Sequence, residues 1–175
     1  MSELGRLDIV VANAGIAPGP IPIQDTTLEG WQQVLDVNLT GVFNTCKAAI
    51  PHLIDAGGGA MVLTSSIASM YTHAGLGSYT VAKSGVVALM KTLAKELAPH
   101  SIRVNTIHPS QVDTPMIMND ELFRIFRPDV ENPTKADFEE ASQGLHALPL
   151  TVSSPGTSPG RCSSSSPTTR SPSPG

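Results

Sequence analysis

The feature that most constrains this chain is a run of six residues, Leu7-Asp8-Ile9-Val10-Val11-Ala12, nearly all apolar and ending at Asn13-Ala14-Gly15. A short apolar run bounded by turn residues reads as a strand buried on both faces, the pattern of a parallel sheet. Ala60-Met61-Val62-Leu63-Thr64 repeats it, and residues 102–107 give a third strand, ended by Pro109. Helical stretches lie between. Thr26-Thr27-Leu28-Glu29 fits a capping box with Thr26 as N-cap. The helix it opens covers about 27–55, in two pieces near Asn38, until Gly57-Gly58-Gly59 stops it. A second helix, about 78–98, carries Val86, Leu89, Met90, Leu93 and Leu97 as an apolar stripe. Short helices are expected at 114–127 and 134–142, separated by the Pro128 and Pro133 turn region. Strands alternating with helices predict an α/β fold, a parallel sheet with helices on both faces. Three strands leave that sheet incomplete. The most apolar strand starts close to residue 1, so something that should pair with it is missing.

The chain has 175 residues, enough for one domain with a sizeable core. No apolar run approaches the ~20 residues of a membrane helix, and residues 1–5 lack the basic and apolar regions of a signal peptide, so a cytoplasmic protein is expected. Cys46 and Cys162 fit neither a disulfide framework nor a zinc spacing, and no metal is expected. A net charge of −4 argues against nucleic acid or an anionic membrane as partner. All 15 acidic residues precede position 150. Residues 151–175 hold 9 Ser and 5 Pro, with Val152 and Cys162 as the only apolar side chains. Such a stretch cannot offset its chain entropy by burial, so 149–175 is expected to be a disordered tail. It is either a flexible tail or a stretch read out of phase after Pro149-Leu150.

Tyr79 and Lys83 stand four residues apart on the second helix, hence on one face, one turn apart. An ammonium there stabilises phenolate and lowers the tyrosine pKa from ~10, which suits a general acid/base. Taken alone, the pair is also what chance gives on helices. It is not alone. Asn13-Ala14-Gly15, Thr64-Ser65-Ser66 and His108-Pro109-Ser110 each close a strand, and ligands of open α/β sheets sit outside the carboxyl ends of the strands. His108 itself reads as a loop residue rather than a catalyst. Gly57-Gly58-Gly59 precedes a strand, so it is a helix stop and not a phosphate cradle.

Asn13-Ala14-Gly15, Asn38 within Asp36-Val37-Asn38-Leu39-Thr40-Gly41, Ser66, and Tyr79-x-x-x-Lys83 with thirteen residues from Ser66 to Tyr79 resemble the short-chain dehydrogenase/reductases. The resemblance covers about residues 5–142. The stretch 122–134 is most similar to the carveol-dehydrogenase-like, mycofactocin-associated group. The resemblance implies an incomplete doubly wound, Rossmann-type sheet with flanking helices. Residues 1–148 would be the C-terminal, catalytic part of that domain, truncated at both ends, and lacking the glycine-rich turn and the NAD/NADP selector that the family places earlier.

It also implies roles. Tyr79 would exchange a proton with the substrate oxygen, Ser66 would orient that oxygen, Lys83 would lower the Tyr79 pKa and bind the nicotinamide ribose, and Asn38 would hold a water relaying protons to Lys83. Asn13, Ala14, Gly15, Pro109, Val112 and Thr114 would line the cofactor with Tyr79 and Lys83. Ser110 departs from the family's usual glycine after that proline. The implied function is an NAD(P)-dependent oxidoreductase, NAD favoured by subgroup, that interconverts a secondary alcohol and a ketone by hydride transfer. Its partner would be a small-molecule substrate, and intact relatives would be homo-oligomers. Two alternatives stand beside it. One is an inactive remnant that only associates with related subunits. The other is a sugar-nucleotide epimerase, which shares Tyr-x-x-x-Lys and is disfavoured by Asn13-Ala14-Gly15.

Overall fold

The computed structural model describes residues 5–143, and the tail expected at 149–175 lies outside the described residues. Strands β1 (Ile9–Ala12), β2 (Gly59–Thr64) and β3 (Ile102–Ile107) form one parallel sheet in the order β1-β2-β3. Helices α1 (Leu28–Leu35) and α2 (Gly41–Asp55) connect the first pair, joined by a π turn over Asp36–Thr40. Helix α3 (Gly77–Leu97) connects β2 to β3, and α4 (Asp120–Phe126) and α5 (Lys135–Gln143) follow. Tight 3₁₀ turns lie at Ile23–Asp25, Ile67–Ser69 and Ala98–His100.

The register sets Ala12 beside Leu63, and Leu63 beside Thr106, so the three strands end level with one another. On one face, Val10, Met61, Leu63, Ile102 and Val104 meet Cys46 and Leu53 of α2 and Val86, Leu93 and Leu97 of α3. The apolar stripe expected on the second helix therefore faces the sheet. The other face corrects the expectation. Ile9 and Val11 are 65% and 57% exposed, so β1 is buried on one side, not both, among the described residues. The reason is topological. When successive parallel strands are added in one direction, right-handed crossovers deliver every connecting helix to the same side of the sheet.

Local chemistry shifts two element boundaries. Thr27, not Thr26, caps α1: its Oγ1 accepts from the Gly30 amide at 3.1 Å. Thr26 instead donates to the Pro22 carbonyl, closing the preceding 3₁₀ turn. The helix expected from 114 starts at Asp120. Asn119 accepts from the Leu122 amide at 2.9 Å and donates to the Met116 carbonyl at 3.0 Å, so it closes one turn and opens the next. The stop after α2 is as expected. Gly57, Gly58 and Gly59 hold φ of 83°, 131° and 158°, values that need glycine.

The two faces of the sheet should respond differently to substitution. Leu63→Ala removes a fully buried side chain and is expected to cost about 2–5 kcal/mol. Val11→Lys on the open face should cost less than about 1 kcal/mol and lower self-association of this apolar surface. Denaturant unfolding of both variants, with light scattering, checks this; a Val11→Lys loss comparable to that of Leu63→Ala would contradict it.

Candidate active site

The level strand ends make a rim. Thr64 Oγ1 donates to Asn13 Oδ1 at 3.0 Å, joining the ends of β1 and β2. The Ser65 amide donates to the Ile107 carbonyl at 2.9 Å and the Ile67 amide to the Pro109 carbonyl at 3.0 Å, joining β2 to β3. Above the rim opens a cavity of about 900 Å³. Asn13, Gly15, Ser66, Tyr79 and Lys83 line it from the strand ends and α3, and Pro109, Val112 and Thr114 from the segment after β3. Of the residues expected at a cofactor site, Ala14 faces away, into a smaller cleft beside Val37 and Thr45. Asn38 does not line the cavity; it is fully buried.

Helix α3 presents Tyr79 and Lys83 one turn apart, with Lys83 Nζ 5.7 Å from the centre of the Tyr79 ring. Lys83 is only 3% exposed. Its Nζ donates to the Thr64 carbonyl at 2.9 Å, and its own carbonyl accepts from Ser65 Oγ at 2.8 Å. Burial pushes the Lys83 pKa below its ordinary value. Burial also raises the Tyr79 phenol, and a hydrogen bond with the Ser66 side chain offsets that rise in part. This differs from the lowered tyrosine expected from the pair alone. Desolvation is the larger cause at Tyr79, and Lys83 is itself buried and turned to the Thr64 carbonyl.

Ser66 is set by its turn. It has an extended backbone at the N-cap of the Ile67–Ser69 turn, and its Oγ accepts from the Ala68 amide at 3.1 Å. Asn38 sits in the π turn, a distortion frequent at functional sites. The Gly41 amide reaches back to the Asp36 carbonyl, five residues away. Asn38 Oδ1 accepts from the Ile16 amide at 2.9 Å, and its Nδ2 donates to the Ile16 carbonyl at 2.7 Å. The side chain thus clamps the loop after β1. Gly15 lies against this clamp: a Cβ there would come 2.8 Å from Asn38 Oδ1 and 3.4 Å from Lys83 Nζ.

Several contributors escape a reading of the sequence. The Thr64 carbonyl anchors Lys83, yet every residue type carries a carbonyl, so no sequence signal marks it. The outer wall comes from Pro20, Met116, Ile117, Leu122 and Phe126. Phe126 stacks edge-on against Phe138 at 4.9 Å and touches the His73 ring at 5.6 Å, which binds α4 and α5 to the loop before α3. The proline- and glycine-rich stretch 17–20 also walls the site, and no local pattern marks it for that place. Among the described residues, no helix is long and apolar enough to cross a membrane.

A rim of this composition on a parallel α/β sheet defines a class, and this chain belongs to the short-chain dehydrogenase family, whose model matches residues 1–124. It is 55% identical over 152 residues to a (-)-trans-carveol dehydrogenase of Rhodococcus erythropolis, covering 86% of this chain and 54% of that protein. A cyclohexanol dehydrogenase of an Acinetobacter species is 39% identical over 117 residues, 67% of this chain and 47% of that protein. The crystal structure of a carveol dehydrogenase from Mycobacterium avium in complex with NAD superposes with a TM-score of 0.82 at 47% identity, over 87% of this chain and 56% of that one. The chain thus spans about half the length of the curated relatives it matches.

Two measurements probe the site without turnover. Gly15→Ala forces a methyl onto Asn38 and should break the clamp on Ile16, costing about 1–3 kcal/mol; unfolding within about 0.5 kcal/mol of the parent would contradict the close approach. Lys83 gives a pH signature. Its folded-state pKa lies below the ordinary 10.5, so between those two values the unfolded chain binds more protons and stability rises with pH. Lys83→Met removes that term. The stability of the parent relative to Lys83→Met should therefore increase as pH rises from neutral toward 10.5; a difference that stays flat in denaturant unfolding would show that burial does not depress Lys83.

Proposed function

We propose that this cavity is the active site of an NAD(P)-dependent oxidoreductase that interconverts a secondary alcohol and a ketone, with Tyr79 as general acid/base. The observation that carries the reading is that Ser66, Tyr79 and, one turn along α3, buried Lys83 line the same cavity at the strand ends. Met116, Ile117, Leu122 and Phe126 give the outer wall an apolar surface, which suits a compact alicyclic body. The names of the carveol and cyclohexanol dehydrogenases among the relatives support that substrate class. NAD is favoured over NADP by the NAD complex of the Mycobacterium avium relative.

The residues present fit the nicotinamide end of such a cofactor. Gly15 withholds the Cβ that would crowd Lys83 Nζ, leaving room beside that ammonium for a ribose. Asn13 and Gly15 would run along the cofactor, Lys83 and Tyr79 would meet its ribose, and Pro109, Val112 and Thr114 would hold the amide and phosphates. A nicotinamide held there would supply hydride-transfer chemistry between the cofactor and the carbon that bears the substrate oxygen.

The chain's own residues manage the proton. Ser66 donates to the substrate oxygen and fixes its place beside the Tyr79 phenol. In reduction, Tyr79 gives its proton to that oxygen; in oxidation, the phenolate takes the hydroxyl proton. Lys83, 5.7 Å from the centre of the Tyr79 ring, would favour the phenolate electrostatically and hold the ribose. The Asn38 side chain is committed to Ile16, so a relay water at the π turn would be held by main-chain atoms. Burial keeps the Tyr79 phenol protonated at neutral pH in the free site. Ketone reduction is therefore expected to prevail near neutrality, and alcohol oxidation to rise as the medium becomes alkaline.

Tyr79→Phe tests the reading. The variant keeps the ring and its packing and loses the proton carrier. Turnover of a cyclohexanol-type alcohol with NAD should fall by at least the roughly 10²–10⁴-fold that acid/base catalysis supplies, while NADH binding, followed by fluorescence, stays near that of the parent. Retention of more than about a tenth of the activity would overturn the assignment. Absence of NADH binding by the parent chain would favour a remnant that only associates with related subunits.

A further inference from the structure

His108 is a half-buried residue that the reaction above does not use, and its ring has partners at both nitrogens. Nε2 lies 2.9 Å from Thr106 Oγ1. Nδ1 lies 3.2 Å from the Ser66 carbonyl and 3.1 Å from Ser69 Oγ. These contacts settle the tautomer. The Ser66 carbonyl accepts only. Ser69 Oγ spends its own proton on that same carbonyl at 2.7 Å, so it faces Nδ1 as an acceptor. Nδ1 must therefore carry the hydrogen and share it between the two oxygens. Nε2 then offers its lone pair, and the Thr106 hydroxyl donates to it.

The Ser66–Ser69 turn closes on itself: the Ser69 amide and hydroxyl both donate to the Ser66 carbonyl. Such local bonds fix the shape of the turn but not its place on the sheet. Contacts to the end of β3 and the segment after it contribute to that place: the main-chain bonds from Ser65 to Ile107 and from Ile67 to Pro109, and the His108 ring. Main-chain pairing holds the turn through Ser65 and Ile67 on either side of Ser66, and the ring N–H is the side-chain contact made to Ser66 itself.

Resting on the oxidoreductase reading, we propose that His108, as its Nδ1–H tautomer held by Thr106, is a positioning residue that locks the Ser66–Ser69 turn to β3 and so sets where the Ser66 hydroxyl meets Tyr79 and the substrate oxygen. It touches neither substrate nor cofactor in this role. The direction of the Tyr79 pKa is in keeping with this, because the Ser66 hydrogen bond opposes the rise caused by burial.

The two nitrogens can be separated by substitution. His108→Asn places an amide N–H near the Nδ1 position and should keep the lock. His108→Gln reaches toward the Nε2 position and should lose it. Two readouts are used on the whole chain. The first needs no turnover: in a Tyr71→Phe background, ultraviolet titration of phenolate reads Tyr79 alone, since the sequence holds two tyrosines. The midpoint should move up in His108→Gln, as in Ser66→Ala, and stay in place in His108→Asn. The second is kinetic: kcat for alcohol oxidation should fall by about tenfold or more in His108→Gln, up to the ~10²-fold that a misplacement of ~1 Å brings, with KM for NAD unchanged and with rescue in His108→Asn. If His108→Gln does not fold, Thr106→Val replaces it. That change frees the ring tautomer and should shift the same two readouts in the same direction, by less. A folded His108→Gln, or the Thr106→Val substitute, with parental midpoint and parental kcat overturns the proposal. So do equal losses in His108→Asn and His108→Gln, which mark a merely structural ring. A parent chain without turnover defeats the oxidoreductase reading, and the titration alone then decides the role of His108.

Discussion

Hydrogen bonding of β2 along both its edges is the constraint on which the site depends. Its parallel registers with β1 and β3 bring Ala12, Leu63 and Thr106 into one row. The next residues along, Asn13, Thr64 and Ile107, are then forced to the same level. From there the chain leaves each strand on the same side of the sheet, and the polar ends meet instead of scattering. The Thr64–Asn13 hydrogen bond and the Ser65–Ile107 pairing follow from that alignment. A slip of one residue in either ladder would turn Met61 or Val104 out of the core and remove the rim at once.

Once the rim exists, two buried polar side chains give it its character. Burying an ammonium and an amide is costly unless each finds partners. Lys83 meets the Thr64 carbonyl, and Asn38 takes both polar atoms of the Ile16 peptide. Both partners are main-chain groups, one at the end of β2 and one in the loop after β1, so the same bonds that satisfy the side chains hold the chain where it leaves those strands. Gly15 lies between them because only a residue without Cβ lets the chain pass over Asn38 Oδ1. The π turn serves the same end, lodging Asn38 in full burial between α1 and α2.

The outer part of the cavity rests on weaker and more adjustable contacts. Phe123, Phe126 and Phe138 pack α4 on α5, and the His73 ring meets Phe126 from the inner side. Lys135 to Asp113 at 2.8 Å ties the start of α5 to the segment after β3. An exposed ion pair of this kind contributes little by itself, so the aromatic packing holds this wall. The inner rim is fixed by main-chain geometry, whereas the outer wall is built of side chains. That division suits a site with fixed chemistry and a variable apolar pocket.

Much of this was legible in the residues. Strand and helix spans follow from apolar periodicity. The glycine stop at 57–59 follows from backbone freedom, and the one-turn spacing of Tyr79 and Lys83 from the helical repeat. All are local properties that a short stretch of chain carries wherever it is placed. The break near Asn38 was visible as well, as a poor helix former inside an apolar run. What the residues did not disclose depends on partners distant in the chain: that β1 is open on one face, that Lys83 anchors on the Thr64 carbonyl, that burial raises the Tyr79 phenol, that the His108 ring reaches both Thr106 and the Ser66 turn. The Thr27 cap and the late start of α4 were missed for a related reason. Neighbouring side chains compete for the same main-chain groups, and only the folded geometry decides which one wins. Sequence determined which segments form elements and which chemical groups the chain owns. Tertiary structure decided which of those groups lose their water and which main-chain atom each then finds, because desolvation and main-chain carbonyls leave no mark on residue type.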